Sequence, residues 1–127
     1  MNSRITLTIT ALITIVLSSF HLADDVVRGI DPAATGYTAM MIVAVYLFST
    51  LMLRERRWAH VIVLIGSLGA TAVPYLHMQG SGLTGPRVVN AGAVFFWVWT
   101  LLALGVTASV SAVLAALGLW SLRKGVV

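Results

Sequence analysis

The residues of this sequence that are best suited to chemistry cluster where its first apolar run ends. Arg4 is the only charged side chain among the residues before the cluster, and then His21, Asp24, Asp25 and Arg28 follow in close succession. On a helix, the spacing i, i+3, i+4 and i+7 places all four on one face. Imidazole and carboxylate groups bind protons and cations. The cluster therefore predicts a polar site in which these four residues bind an ion or a small polar ligand.

A row of hydroxyl side chains extends the same face back along the first apolar run. Thr6, Thr10, Thr14 and Ser18 recur every four residues and share the side of the helix that carries His21. A polar stripe of this length is expected to face other helices, a subunit partner or a water-filled cavity. The alternative is that the hydroxyls bond to carbonyls of their own helix and allow close packing.

His77 lies near the end of the third apolar run, within PYLHM. The first and third runs cross the membrane in the same direction, so His21 and His77 are expected at a similar depth. Together with Asp24 and Asp25 they form a candidate metal site for zinc, copper, iron or nickel. A haem between the two histidines is a further possibility. The alternative is that each histidine is an ordinary hydrogen-bonded packing residue.

Four apolar runs have to position these groups. Of the 127 residues, 59% are hydrophobic and 9% are charged, and the mean hydropathy is +0.98. A soluble domain carries about 25% charged residues, so the composition indicates an integral membrane protein. The spans are predicted at residues 5–23, 37–53, 59–78 and 88–122. They predict one domain over residues 1–127, an all-α antiparallel bundle of four transmembrane helices.

The fourth apolar run is longer than a membrane crossing requires. At 1.5 Å per residue it would span about 52 Å, whereas the hydrocarbon core of a bilayer is about 30 Å thick. We expect a single tilted or bent helix, with Gly105 as the position of the bend. FFWVW, residues 95–99, is expected to face lipid or fill the core rather than bind a ligand.

The basic residues predict the orientation of the chain. In a four-span arrangement one side carries Arg4, Arg54, Arg56, Arg57, Arg123 and Lys124, and the other side carries only Arg28 and Arg87. The positive-inside rule then places both termini in the cytoplasm and the His/Asp cluster outside it. The expected location is the cytoplasmic (inner) membrane of a bacterium.

The leading functional hypothesis is a small membrane protein that binds a cation, a proton or a small polar ligand at this cluster, with transport as one version. Four helices enclose little interior, so a transport pathway would need a homodimer or larger oligomer. The alternative is a structural or accessory subunit, with an extracytoplasmic protein as its partner. A metal-dependent enzyme or haem protein is the third hypothesis, because no catalytic motif is present. The absence of cysteine excludes thiolate sites, and the net charge of +4 does not indicate nucleic acid binding.

Overall fold

A computed structural model of the chain describes residues 3–53, 56–79, 82, 85–90 and 92–125, and within these residues it contains helices and no strand. The helices are α1 (Ser3–Val27), α2 (Ala33–Leu51), α3 (Arg57–His77), α4 (Pro86–Val89) and α5 (Val94–Lys124). Among the described residues, α1, α2, α3 and α5 are long and apolar enough to cross a membrane. The prediction of an all-α bundle of four membrane-spanning helices is confirmed.

The helix α1 extends past the apolar residues 5–23 that mark its span and continues to Val27. Two residues beyond its end is Gly29, whose φ of 66° is the left-handed conformation that glycine adopts readily. The Gly29 N–H donates to the Val26 carbonyl over 3.1 Å, and the Ile30 N–H donates to the Asp25 carbonyl over 2.9 Å. The residues from His21 to Asp25 are therefore on regular helix, as their spacing requires. We refer to this end of the bundle as the Gly29 end.

The fourth membrane helix begins later than its predicted start at residue 88. Pro86–Val89 forms the separate short helix α4, and a break follows because Gly92 and Ala93 both have positive φ, 72° and 46°. The long helix α5 begins only at Val94 and continues without interruption through Gly105 to Lys124. Its 31 residues correspond to about 46 Å. The long single fourth helix that the charges predict is present, with a later start.

The helix α5 is the central element, because it packs against both α1 and α3. Its buried residues recur at helical spacing along one face, and they include Trp97, Leu101, Leu104, Ala108, Ala112 and Ala115. Gly105 is one point at which α3 approaches closely, since a Cβ atom there would lie 2.8 Å from Cγ of Pro74. Near the middle of the bundle, the Tyr46 hydroxyl and the Ser67 hydroxyl form a hydrogen bond of 2.8 Å between α2 and α3.

The antiparallel order brings three helix ends together at the Gly29 end. There α1 and α3 finish and α5 begins. At the opposite end, Arg57 Nη2 at the start of α3 donates to the Leu122 carbonyl near the end of α5, over 3.2 Å. The topology thus places the last turn of α1, the last turn of α3 and the first turns of α5 around one point.

Candidate metal centre

Three side chains from two helices converge at the Gly29 end. His21 and Asp25 lie one turn apart on α1, and His77 is the last residue of α3. One ligand atom from each lies within 4.8 Å of the other two. His21 and Asp25 are each only 2% exposed. The two histidines are predicted to lie at a similar depth in the membrane, and in the structure their ring centroids are 5.0 Å apart.

The distances within this His/Asp cluster suit a shared cation. Oδ2 of Asp25 lies 2.8 Å from Nε2 of His77 and 3.5 Å from Nε2 of His21. Ligand atoms held about 2.1 Å from a tetrahedral ion are separated from one another by about 3.4 Å. The two observed distances lie on either side of that value. The ligand atoms of the two histidines are within 4.8 Å of each other, and side-chain rotations would bring all three atoms to bonding distance from one ion.

Each histidine has its other ring nitrogen held by an acceptor. The His77 Nδ1–H donates to the Val73 carbonyl over 3.0 Å. The Thr100 hydroxyl donates to the Trp97 carbonyl over 3.0 Å, so its oxygen accepts from the Nδ1–H of His21 over 3.3 Å. In the neutral form of either ring, the lone pair is then on Nε2. This arrangement is the one in which metal-binding histidines are usually held by their surroundings.

The carboxylate of Asp25 is oriented by a tryptophan of α5. The indole Nε1–H of Trp97 donates to Oδ1 over 2.6 Å, which leaves Oδ2 directed at the two histidines. The Trp97 ring centroid lies 5.3 Å from that of His21 and 5.6 Å from that of His77. Trp97 is itself almost completely buried. It therefore both positions the carboxylate and covers one side of the cluster.

The cluster contains one unsatisfied atom and one shared proton. Nε2 of His21 is buried and has no hydrogen-bond partner among the described residues. Leaving a buried polar atom without a partner costs about 1–3 kcal/mol. His77 Nδ1–H already donates to a carbonyl, so its 2.8 Å contact with Asp25 requires a second proton on one of these two partners. A cation bound by all three residues would satisfy His21 and replace this proton.

Asp24 and Arg28 are close by but make other contacts. Arg28 Nε donates to Asp24 Oδ2 over 2.9 Å. The same guanidinium donates to the Val88 carbonyl over 3.1 Å and to the Ala93 carbonyl over 3.3 Å. This pair therefore fastens the end of α1 to the segment that precedes α5, and Asp24 is outside the group of converging atoms.

Two hydroxyls in the stripe of α1 bond to their own helix. Thr14 is fully buried and donates to the Thr10 carbonyl over 2.8 Å. Thr10 donates to the Leu7 carbonyl over 3.2 Å. Thr6 and Ser18 are partly exposed. The protons of the two central hydroxyls are thus engaged by the backbone.

Comparisons with protein-family models, with curated proteins and with solved structures find no significant match for this chain. The fold and the cluster together define an all-helical membrane protein with a buried His/Asp cluster at one end of its bundle. What this cluster does has to be inferred from its geometry and chemistry.

Proposed function

We propose that this membrane protein binds a divalent transition metal ion of the zinc type through His21, Asp25 and His77. One observation carries the proposal: each of the three residues has one possible metal-ligand atom close to those of the other two, while its other polar atom is held by a hydrogen bond. The partners in these hydrogen bonds are Thr100 for His21, Trp97 for Asp25 and the Val73 carbonyl for His77. Two imidazoles and a carboxylate are a usual ligand set for zinc and related ions. Three protein ligands would leave a fourth coordination position for water or another ligand.

The orientation and the role of the site form part of the same proposal. We place the Gly29 end outside the cytoplasm, since Arg56, Arg57, Arg123 and Lys124 are at the other end and Arg28 and Arg87 are at this one. We propose binding rather than conduction along α1, because Thr14, in the middle of the hydroxyl stripe, is fully buried in the packed bundle.

A second candidate is a structural or accessory protein in which the cluster holds helices together without a metal. The observation in its favour is that His77 and Trp97 already bond to Asp25 over 2.8 and 2.6 Å. These contacts join α1 to α3 and α5. In this case the cluster contributes to the free energy of unfolding, and metal ions have no effect on it.

Cobalt binding separates the two candidates. Co²⁺ added to the purified protein should bind at about one ion per chain and give the intense visible absorption of a tetrahedral site. Asp25→Asn should weaken this binding by about tenfold or more, since the anionic ligand is lost. Asp24→Asn is the matched control: its carboxylate bonds to Arg28, so the variant should bind Co²⁺ as the wild type does.

The structural candidate predicts a different set of results. The wild-type protein would then show no absorption band from bound Co²⁺, and neither Co²⁺ nor Zn²⁺ would raise its unfolding temperature. Asp25→Asn would still lower that temperature, because the contacts to His77 and Trp97 depend on the carboxylate. That combination of results would exclude the metal site.

A further inference from the structure

A large cavity adjoins the His/Asp cluster. Its volume is about 1060 Å³, which is at the upper end of the roughly 300–1,000 Å³ range of small-molecule sites. Residues of α1, α2, α3 and α5 border it. His21, Asp25 and His77 are part of its wall. The proposed metal ion would therefore be at the edge of a space large enough for an organic ligand.

The space exists because α3 presents small residues toward α2. Gly66, Gly69 and Ala70 line the cavity, and a Cβ atom added to Gly69 would meet nothing within 4 Å. Away from the cluster, most of the lining is aliphatic. The charged and histidine residues of the lining are at or beside the Gly29 end: they are His21, Asp25, Asp31, His77 and Arg87. The cavity thus has one polar end and a long apolar part.

The apolar part is open sideways between α2 and α3. Ile42 on α2 and Ile65 and Leu76 on α3 line the cavity and are 61%, 64% and 62% exposed. All three belong to helices that can span a membrane, so this side meets lipid rather than water. An occupant would enter from the bilayer and would need a long apolar chain with one polar head.

The charge at the polar end decides which head group fits. Arg28 is paired with Asp24. Among the residues that line the cavity, the positive charge of Arg87 balances the negative charge of Asp31 in number. A divalent ion on Asp25 and two neutral histidines leaves one positive charge. Burying that charge in an apolar site is costly unless an anion accompanies it. A carboxylate would neutralise the charge and take the fourth coordination position.

We propose that the cavity binds a long-chain carboxylate, a fatty acid, with its carboxylate on the metal ion and its chain between α2 and α3. This inference rests on the proposed metal site. Without the ion, Asp25 and His77 with their shared proton carry no net charge and offer the carboxylate no cation to bind. Metal and fatty acid should therefore strengthen each other's binding by the same factor, because coupling between two sites is reciprocal.

The test uses the full chain loaded with Co²⁺ in lipid nanodiscs after removal of unbound metal. Palmitate should change the visible absorption of the bound Co²⁺, whereas acetate and hexadecanol at the same concentration should leave it unchanged. Acetate lacks the chain and hexadecanol lacks the charge, so each isolates one feature. If acetate acts as strongly as palmitate, or if palmitate has no effect, the inference is wrong while the metal site stands. If no Co²⁺ binds, both proposals fail.

Two variants of α3 test whether the chain occupies the cavity. Gly69→Leu places a side chain in the open space and should weaken the palmitate response about tenfold, equivalent to about 1.4 kcal/mol, while Co²⁺ binding is retained. Ala72→Leu is the matched control, since Ala72 is exposed and does not line the cavity. Equal palmitate responses in the two variants would overturn the proposed location of the chain. Octanoate gives a second measurement on the wild-type protein, because its affinity should fall between those of acetate and palmitate.

Discussion

Trp97 has no ligand atom, yet the geometry of the cluster depends on it. Its indole N–H holds Oδ1 of Asp25 and leaves Oδ2 for the two histidines. A carboxylate without this bond could rotate, and the relation of Oδ2 to His21 and His77 would be lost. Removing a residue that orients a metal ligand by a hydrogen bond commonly lowers the metal affinity by about 10–100-fold.

Replacing Trp97 by phenylalanine tests this role. Trp97→Phe keeps an aromatic ring in the core and removes the donor to Asp25 together with part of the buried ring. Co²⁺ affinity should fall by about tenfold or more, as measured by titration of the visible absorption band. Trp99→Phe provides the control, because Trp99 is exposed and stacks on Phe95 instead. Equal affinities in both variants would show that the indole N–H does not position the carboxylate.

The sequence carries enough information to bring His21, Asp25 and His77 together. Helical periodicity puts the first two on one face, and the shared direction of the first and third spans brings the third to their level. Trp97 and Thr100 could not be identified in this way. A tryptophan inside FFWVW has apolar neighbours on every side, so only the packing of α5 determines which ring turns toward Asp25.

At the scale of the helices, the contact between Gly105 and Pro74 is one of the points at which α3 approaches α5 closely. Pro74 is one turn before His77, so the same contact governs where His77 lies relative to Trp97. The sequence gives Gly105 only as the expected position of a bend, and its close approach to another helix becomes visible in the structure. Apolar patterns along one chain do not reveal which residue of a different helix will face a glycine.

Gly105→Ala should therefore loosen the bundle at this contact. The added Cβ would lie 2.8 Å from Cγ of Pro74, which is closer than carbon atoms pack. We expect a loss of about 1–3 kcal/mol in the free energy of unfolding, measured by denaturation in detergent, and weaker Co²⁺ binding. Gly69→Ala adds the same atom to open space on α3. It should be neutral or stabilising by up to about 1 kcal/mol, and destabilisation by both variants would contradict the close-contact explanation.

For the whole molecule, the distribution of charge determines which side of the membrane the site faces. The bundle brings Arg56 and Arg57 to the same end as Arg123 and Lys124, as the contact between Arg57 and the Leu122 carbonyl requires.

The number and order of spans could be predicted because long apolar runs are the strongest pattern in the chain. The late start of α5 could not be, since it depends on backbone conformation at Gly92 and Ala93.

The absence of cysteine allows a direct test of the orientation. Asn90→Cys and Ser121→Cys place single thiols at exposed positions near opposite ends of the bundle. In intact bacterial cells a membrane-impermeant maleimide should label the variant at Asn90 and leave the variant at Ser121 unlabelled until the cells are permeabilised. The reverse pattern would put the His/Asp cluster on the cytoplasmic side.

The long separations along the chain between the members of the cluster have a consequence for biosynthesis. Asp25 is 52 residues from His77 and 72 residues from Trp97. Since α1 emerges from the ribosome first and α5 last, the acidic group enters the membrane well before either of its hydrogen-bonding partners is synthesised. Asp25 must stay near the water-exposed end of α1 during that interval. The three proposed ligands are all present once α3 has been made, whereas the bond that orients Asp25 forms only after Trp97 follows, so a metal ion should be held at full affinity only once α5 has joined the bundle.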